Sequence, residues 1–205
     1  MALNIFTLFI FYKLILFSVI GFGLFFGKLI FKNNLTKDLG ILGFIGLFFL
    51  TIYSYYSHLI IPHDYSHNVI LLIIGLSLLC FFFKSLDLTS LKILFINFSF
   101  LFITLLLFKT HDDFHYYHFP YSYYITQHPL LVGVGQFNHG FRTPSSIFYL
   151  NSLFFFPLAK YYLFYIPTLL IMGFSNQTIV TKILEYLKKK KVDFIFFLLI
   201  IFFTF

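Results

Sequence analysis

The chain has 205 residues, of which 60% are hydrophobic and only 10% charged, and its mean hydropathy is +0.93. That balance excludes a water-soluble domain, whose surface needs far more charge, and marks an integral membrane protein. The formal charge of +7 comes mostly from lysines that flank apolar runs, which suits loop topology and anionic lipid headgroups and argues against a nucleic-acid partner.

A helix needs roughly 20 apolar residues to cross hydrocarbon, and the runs that meet this predict helices near 8–31, 40–61, 68–84, 91–109 and 146–174. The first is too long in its apolar region for a cleaved signal peptide, and no small-residue cleavage site follows it. Lys13 within it is expected to snorkel from the entering end. Cys80, in the third run, is the single cysteine and can form no intrachain disulfide. The stretch 146–174 is long, and Pro157, Lys160 and Pro167 could break it, yet it is read as one crossing. A sixth apolar segment runs from Asp193 to Phe205 and stops inside the run, so the sequence reads as the amino-terminal part of a longer protein. The fold class expected is all-α, a multi-pass transmembrane helical bundle of about six spans. Residues 1–205 form a single membrane domain with one polar loop at 110–145. Phe 35 and Tyr 15 without Trp read as interchange among apolar residues that tolerate one another, rather than as a binding device.

Lysines 28, 32 and 37, then 84 and 92, then 182 and 188 to 191, fall in alternate loops, which the positive-inside rule assigns to the cytoplasm. The amino terminus, the IPHDYSHN turn at 61–68 and the polar loop then face outward. His63, Asp64 and His67 thus share a side with Asp112 and Asp113, although Pro62 and Asn68 are ordinary turn residues and this stretch is read as a simple turn.

The loop from His111 to Ser146 concentrates two adjacent carboxylates, five of the eight histidines and Arg142, the one arginine. Asp112 and Asp113 follow a predicted helix end, at the water interface but close to the bilayer, a place suited to chemistry on a lipid-linked substrate. One of them could take a proton from an attacking hydroxyl, or the pair could hold a divalent cation together with His115. Glycines 133, 135 and 140 permit tight turns, Arg142 can grip phosphate with its planar fork, and Thr143, Ser145 or Ser146 can cap the helix that follows. Tyr116, Tyr117, Tyr121, Tyr123 and Tyr124 suit a sugar face, and equally a membrane interface.

The order DDFHYYHFP, an apolar interval and then GVGQFNHGFRTPSSIFYLNSLFF resembles the GT-C type of membrane glycosyltransferases, in particular a branch of bacterial multi-pass proteins. The likeness covers about residues 110–156. It implies a bacterial inner-membrane protein, whose amino terminus the loop charges place outside, that transfers sugar from a polyprenyl-phosphate-linked donor to a lipid or glycan acceptor. It also implies Asp112 or Asp113 as base or metal ligand, Tyr117, His118 and Pro120 in one substrate-binding element, and His139, Arg142 and Ser146 in a second. In the better-known GT-C enzymes the acidic loop follows the first helix, whereas here four helices precede it, and a truncated chain could be inactive.

Two other readings come from the residues. His63 and His67 have HxxxH spacing and His111, His115 and His118 have HxxxHxxH, the pattern of histidine-box di-iron membrane oxidases, though without a paired-histidine box. A polar loop between helices also fits a non-catalytic membrane scaffold or part of a lipid-glycan transporter.

Overall fold

A computed structural model of the chain describes residues 4–32, 36–107, 112–142 and 144–188, with positions 195 and 198. These residues form seven α-helices and no strand: α1 (Ile5–Phe31), α2 (Leu39–His58), α3 (Tyr65–Phe82), α4 (Leu88–Leu106), α5 (Phe119–Gln127), α6 (Ser146–Ser152) and α7 (Ile166–Lys188). The all-α expectation holds. Five segments are long and apolar enough to cross a membrane, 5–31, 39–58, 65–85, 88–106 and 161–188. The expected sixth, from Asp193, lies outside the described residues but for positions 195 and 198.

Short polar side chains set where these helices start. Asn4 accepts from the Phe6 N–H, Asp38 from Gly40, Asp64 from His67 and Asp87 from Ser90, each at 2.8 to 2.9 Å. Each bond satisfies an N–H that the first helical turn leaves without a partner. Exposed Asp87 is held below its usual carboxylate range mainly by the Ser90 N–H and then by the Ser90 hydroxyl. Three of the seven acidic residues are thus spent on caps.

Helix α1 is the axle. It packs on α2 and α3, while α7 packs on α2 and α4. Lipid tails are as apolar as leucine, so such helices associate through close contact rather than through water exclusion. Glycines supply that contact: a Cβ on Gly21 of α1 would collide with the Gly75 carbonyl oxygen of α3, and one on Gly46 of α2 with the Val19 carbonyl oxygen of α1. Around them Tyr12, Leu16, Ile20, Phe98 and Phe174 are fully buried, with Phe98 and Phe174 rings 5.2 Å apart.

Two expectations are corrected here. Lys13 does not snorkel: it is buried, and its Nζ donates to the Phe95 carbonyl at 3.0 Å and the Ser99 hydroxyl at 2.8 Å. The Phe95 ring lies 4.2 Å from the ammonium. Oxygen acceptors and π faces supplied by α4 replace water, so the side chain ties two helices instead of reaching for the surface.

The stretch 146–174 is not one crossing. Helix α6 ends at Ser152, the chain then turns through a single antiparallel bridge between Phe156 and Lys160, and α7 begins at Ile166. Lys160 adopts φ 47°, a left-handed conformation that stops any helix there, and Pro167 sits at the start of α7 where a missing N–H costs nothing. Helix α7 then runs on to Lys188, well past the expected end at 174.

The antiparallel order gathers Lys28, Lys32, Lys37, Lys84 and Lys188 at one end of the bundle, where Asp38 bonds the Thr178 hydroxyl. The 59–64 turn, α5 and α6 close the other end.

Candidate functional site

At that closed end the polar loop folds as a cap. Asp113 opens a wide turn, a π-helical stretch at Phe114–His118, that passes directly into α5 with Pro120 in its first turn. Tyr117 lies one turn on and donates its hydroxyl to Asp113 Oδ2 at 3.3 Å. Partial burial and then the Asp113 charge push the Tyr117 phenol up from its ordinary range. The ring abuts Gly140, where a Cβ would collide with it, and Asn138 Nδ2 donates to the Tyr116 carbonyl at 3.3 Å. His118 packs against Phe148 at 5.0 Å and edge-on to Tyr117 at 4.4 Å.

The structure therefore brings Asp113, Tyr117 and His118 together, with the His139–Arg142 turn packed beside them. Other expected members stand apart. Asp112 is exposed in the preceding bend, and His139 is exposed too. Arg142 donates Nε–H to the Gly135 carbonyl at 3.0 Å, so part of its fork holds its own loop. Ser146 begins α6 beside the Tyr55 phenol, Ser145 at the N-cap makes no side-chain cap bond, and α6 has only 7 residues. Thr143, expected as a possible cap, lies outside the described residues, as does His111.

A large open groove adjoins this turn. Phe114 and His115 form one wall, Thr104–Leu107 at and just past the end of α4 a second, and Tyr161 and Tyr165 ahead of α7 with Leu169 in its first turn a third, around about 720 Å³. Phe114 stacks on Tyr165 at 4.7 Å. The lining is chiefly apolar and aromatic, so the groove suits a hydrocarbon chain far better than a hydrated sugar.

The larger polar assembly is one that the sequence reading passed over as a turn. His63 is fully buried, with Nδ1 2.6 Å from Ser152 Oγ and Nε2 2.8 Å from Ser57 Oγ. Its N–H donates to the Ile125 carbonyl of α5 at 3.0 Å, and the Leu130 N–H to the His58 carbonyl at 2.9 Å. Asn68 Nδ2 reaches three carbonyl oxygens, His63 at 2.9 Å, Ser152 at 2.8 Å and Phe155 at 3.0 Å. These bonds lock the 59–64 turn, α5 and α6 onto the mouths of α2 and α3. His63 and His67 were legible as an i, i+4 pair; Ser152, 89 residues from His63, was not.

Burial, and then the neighbouring His67 and His58, hold the His63 imidazole far below the ordinary histidine range. It is neutral in the folded chain across physiological pH. Once unfolded it binds a proton below pH about 6.5, so the unfolded state holds more protons there and stability falls as pH drops. We expect the unfolding free energy to decline by about 1.4 kcal/mol per pH unit below pH 6.5 on account of this one group. Urea titrations between pH 7 and pH 5 should show a shallower acid slope for His63→Gln than for the native chain. Equal slopes would mean that His63 is not the residue responsible.

Among the described residues no three His, Cys, Asp or Glu side chains converge as a metal-holding group. Asp112, Asp113 and His115 are therefore not gathered as the expected ligand set: His115 points to the groove, Asp112 to solvent, and Tyr117 binds Asp113. The ring nitrogens of His63 and His67 are all taken by hydrogen bonds to Ser57, Ser152, Tyr53 and Asn68. Among the described residues neither donor set fits a resident divalent ion.

Comparison with known protein families, curated proteins and solved structures finds no match to this chain.

Proposed function

We propose that the chain is a membrane transferase of the GT-C kind, acting on a polyprenyl-phosphate-linked sugar at the end of the bundle that carries Asp113, and that this end faces away from the cytoplasm. The observation that supports this reading is the placement of one carboxylate. Asp113 opens the turn whose next two residues, Phe114 and His115, form a wall of the apolar groove between α4 and α7. A lipid carrier whose chain lies in such a groove brings its phosphate to the groove's rim, within reach of a base beside it.

In this reading the Asp113 carboxylate takes the proton of the acceptor hydroxyl as that oxygen forms its bond to the sugar's anomeric carbon. The bond from that carbon to the phosphate oxygen breaks, and polyprenyl phosphate leaves with the electron pair. Tyr117 orients the carboxylate, His118 and His139 line the approach, the outer nitrogens of Arg142 meet the phosphate, and Ser146 lies at the loop's far margin.

Membranes carrying the full chain, supplied with a polyprenyl-phosphate sugar and a lipid acceptor, test the idea. Asp113→Asn is expected to lower transfer by about 100-fold or more, the usual loss on removing a general base, while Asp112→Asn keeps most of it. Undiminished transfer by Asp113→Asn sinks the assignment. A wild-type chain that binds the carrier lipid but transfers nothing points instead to a scaffold. That second reading draws on Arg142 and Asn138, which fold the loop upon itself.

A further inference from the structure

A second cavity, separate from the Asp113 groove, opens between α2 and α3 beside the 59–64 turn. It measures about 450 Å³ and is lined by Tyr53, Pro62, Asp64, His67, Ile70 and Ile74 among others. Its polar end has a hydrogen-bond direction that the surrounding network dictates. Asn68 faces three carbonyl oxygens with its Nδ2, so Oδ1 must be the atom 2.9 Å from His67 Nδ1. An amide oxygen only accepts, hence His67 carries its proton on Nδ1. His67 Nε2 is then a lone pair, and Tyr53 Oη, 2.8 Å away, donates to it. With its proton committed inward, the phenolic oxygen offers the cavity lone pairs alone.

Asp64 adds a second acceptor. Its Oδ1 caps α3 through the His67 N–H, and its other oxygen makes no hydrogen bond among the described residues. The residue is exposed, and among the described lining residues it alone carries a formal charge. Below these acceptors, Ile70 and Ile74 continue down one face of α3, 59% and 45% exposed. Ten residues of helix separate Asp64 from Ile74, about 15 Å along the axis.

We propose that this cavity binds an amphiphile whose headgroup ends in a primary ammonium, as in a phosphatidylethanolamine-type lipid, with the ammonium between Tyr53 Oη and the Asp64 carboxylate and an acyl chain along Ile70 and Ile74. Two acceptors and one negative charge require a cationic donor of several N–H bonds. A phosphate is itself negative, a glycerol headgroup carries no positive charge, and a trimethylated ammonium lacks the donors. The proposal does not rest on the transferase reading.

The test uses the full chain in mild detergent and lipids of identical acyl chains, with binding read by native mass spectrometry. The headgroup series steps from primary ammonium through one, two and three N-methyl groups, with phosphatidylglycerol added. Affinity is expected to fall by about tenfold or more between the primary and the trimethylated headgroup, the worth of one charge-assisted hydrogen bond. Asp64→Asn keeps a capping oxygen for α3 and removes only the charge, and Tyr53→Phe removes only the hydroxyl. Each is expected to erase the preference, whereas Asp113→Asn leaves it intact. Equal binding across the methyl series, a preference for phosphatidylglycerol, or full selectivity in Tyr53→Phe overturns the proposal.

Discussion

Replacing Asn68 by alanine is expected to lower the unfolding free energy of the detergent-solubilised chain by about 4 kcal/mol, since it strands buried carbonyls that each cost about 1–3 kcal/mol when unpaired. The Ser152 and Phe155 carbonyls sit at and beyond the last turn of α6, where no helical N–H follows to meet them. Asn68 satisfies both, together with the His63 carbonyl, while its own Oδ1 orients His67. Equilibrium unfolding in urea measures the loss. An aspartate at 68 is the sharper probe, because it is close in shape but turns a carboxylate toward three carbonyl oxygens. It should be at least as damaging as alanine. A well-folded Asn68→Asp chain would show that the amide is not the hub of this end of the bundle.

The second large effect is steric. Gly21→Ala is expected to cost about 3 kcal/mol, at the upper end for overpacking, because the added carbon meets a carbonyl oxygen of α3 that cannot rotate away. Gly133 provides the comparison: it has φ 89° and open space around a would-be Cβ, so alanine there meets only backbone strain of about 1 kcal/mol. Thermal unfolding of the two variants side by side should rank them clearly. Gly133→Ala being the worse of the two would mean that the approach of α1 to α3 is not set by these glycines.

Four spanning helices were readable because hydropathy alone defines them, while their starts, set by Asn4, Asp38, Asp64 and Asp87, lie one to three residues ahead of the apolar runs. The segment after Ser146 was not, since SIFYLNSLFFFPLAKYYLFYIP is as apolar as a true span. A run that buries its side chains against protein in an irregular turn has the same composition as one that faces lipid. Only Pro157, Lys160 and Pro167 carried the distinction, and a lysine that turns the chain through a positive φ has no signature in its side chain. Lys13 was misjudged for a related reason: its acceptors, Phe95 and Ser99, lie on a helix more than eighty residues away. The polar loop announced itself through its charges, and Asp113, Tyr117 and His118 do meet within it. The His63 cluster was hidden because its members arrive from α2, α3 and α6, each contributing one or two ordinary polar residues, and from α5, which contributes only the Ile125 carbonyl.

Tyr12, Lys13 and Gly21 all belong to α1, which lies ahead of α2, α3 and α4 in the chain, and each of those three fastens to it. During synthesis the shared docking post is thus in place before the partners emerge. Each of the three therefore meets a docking surface that has already been made when it arrives.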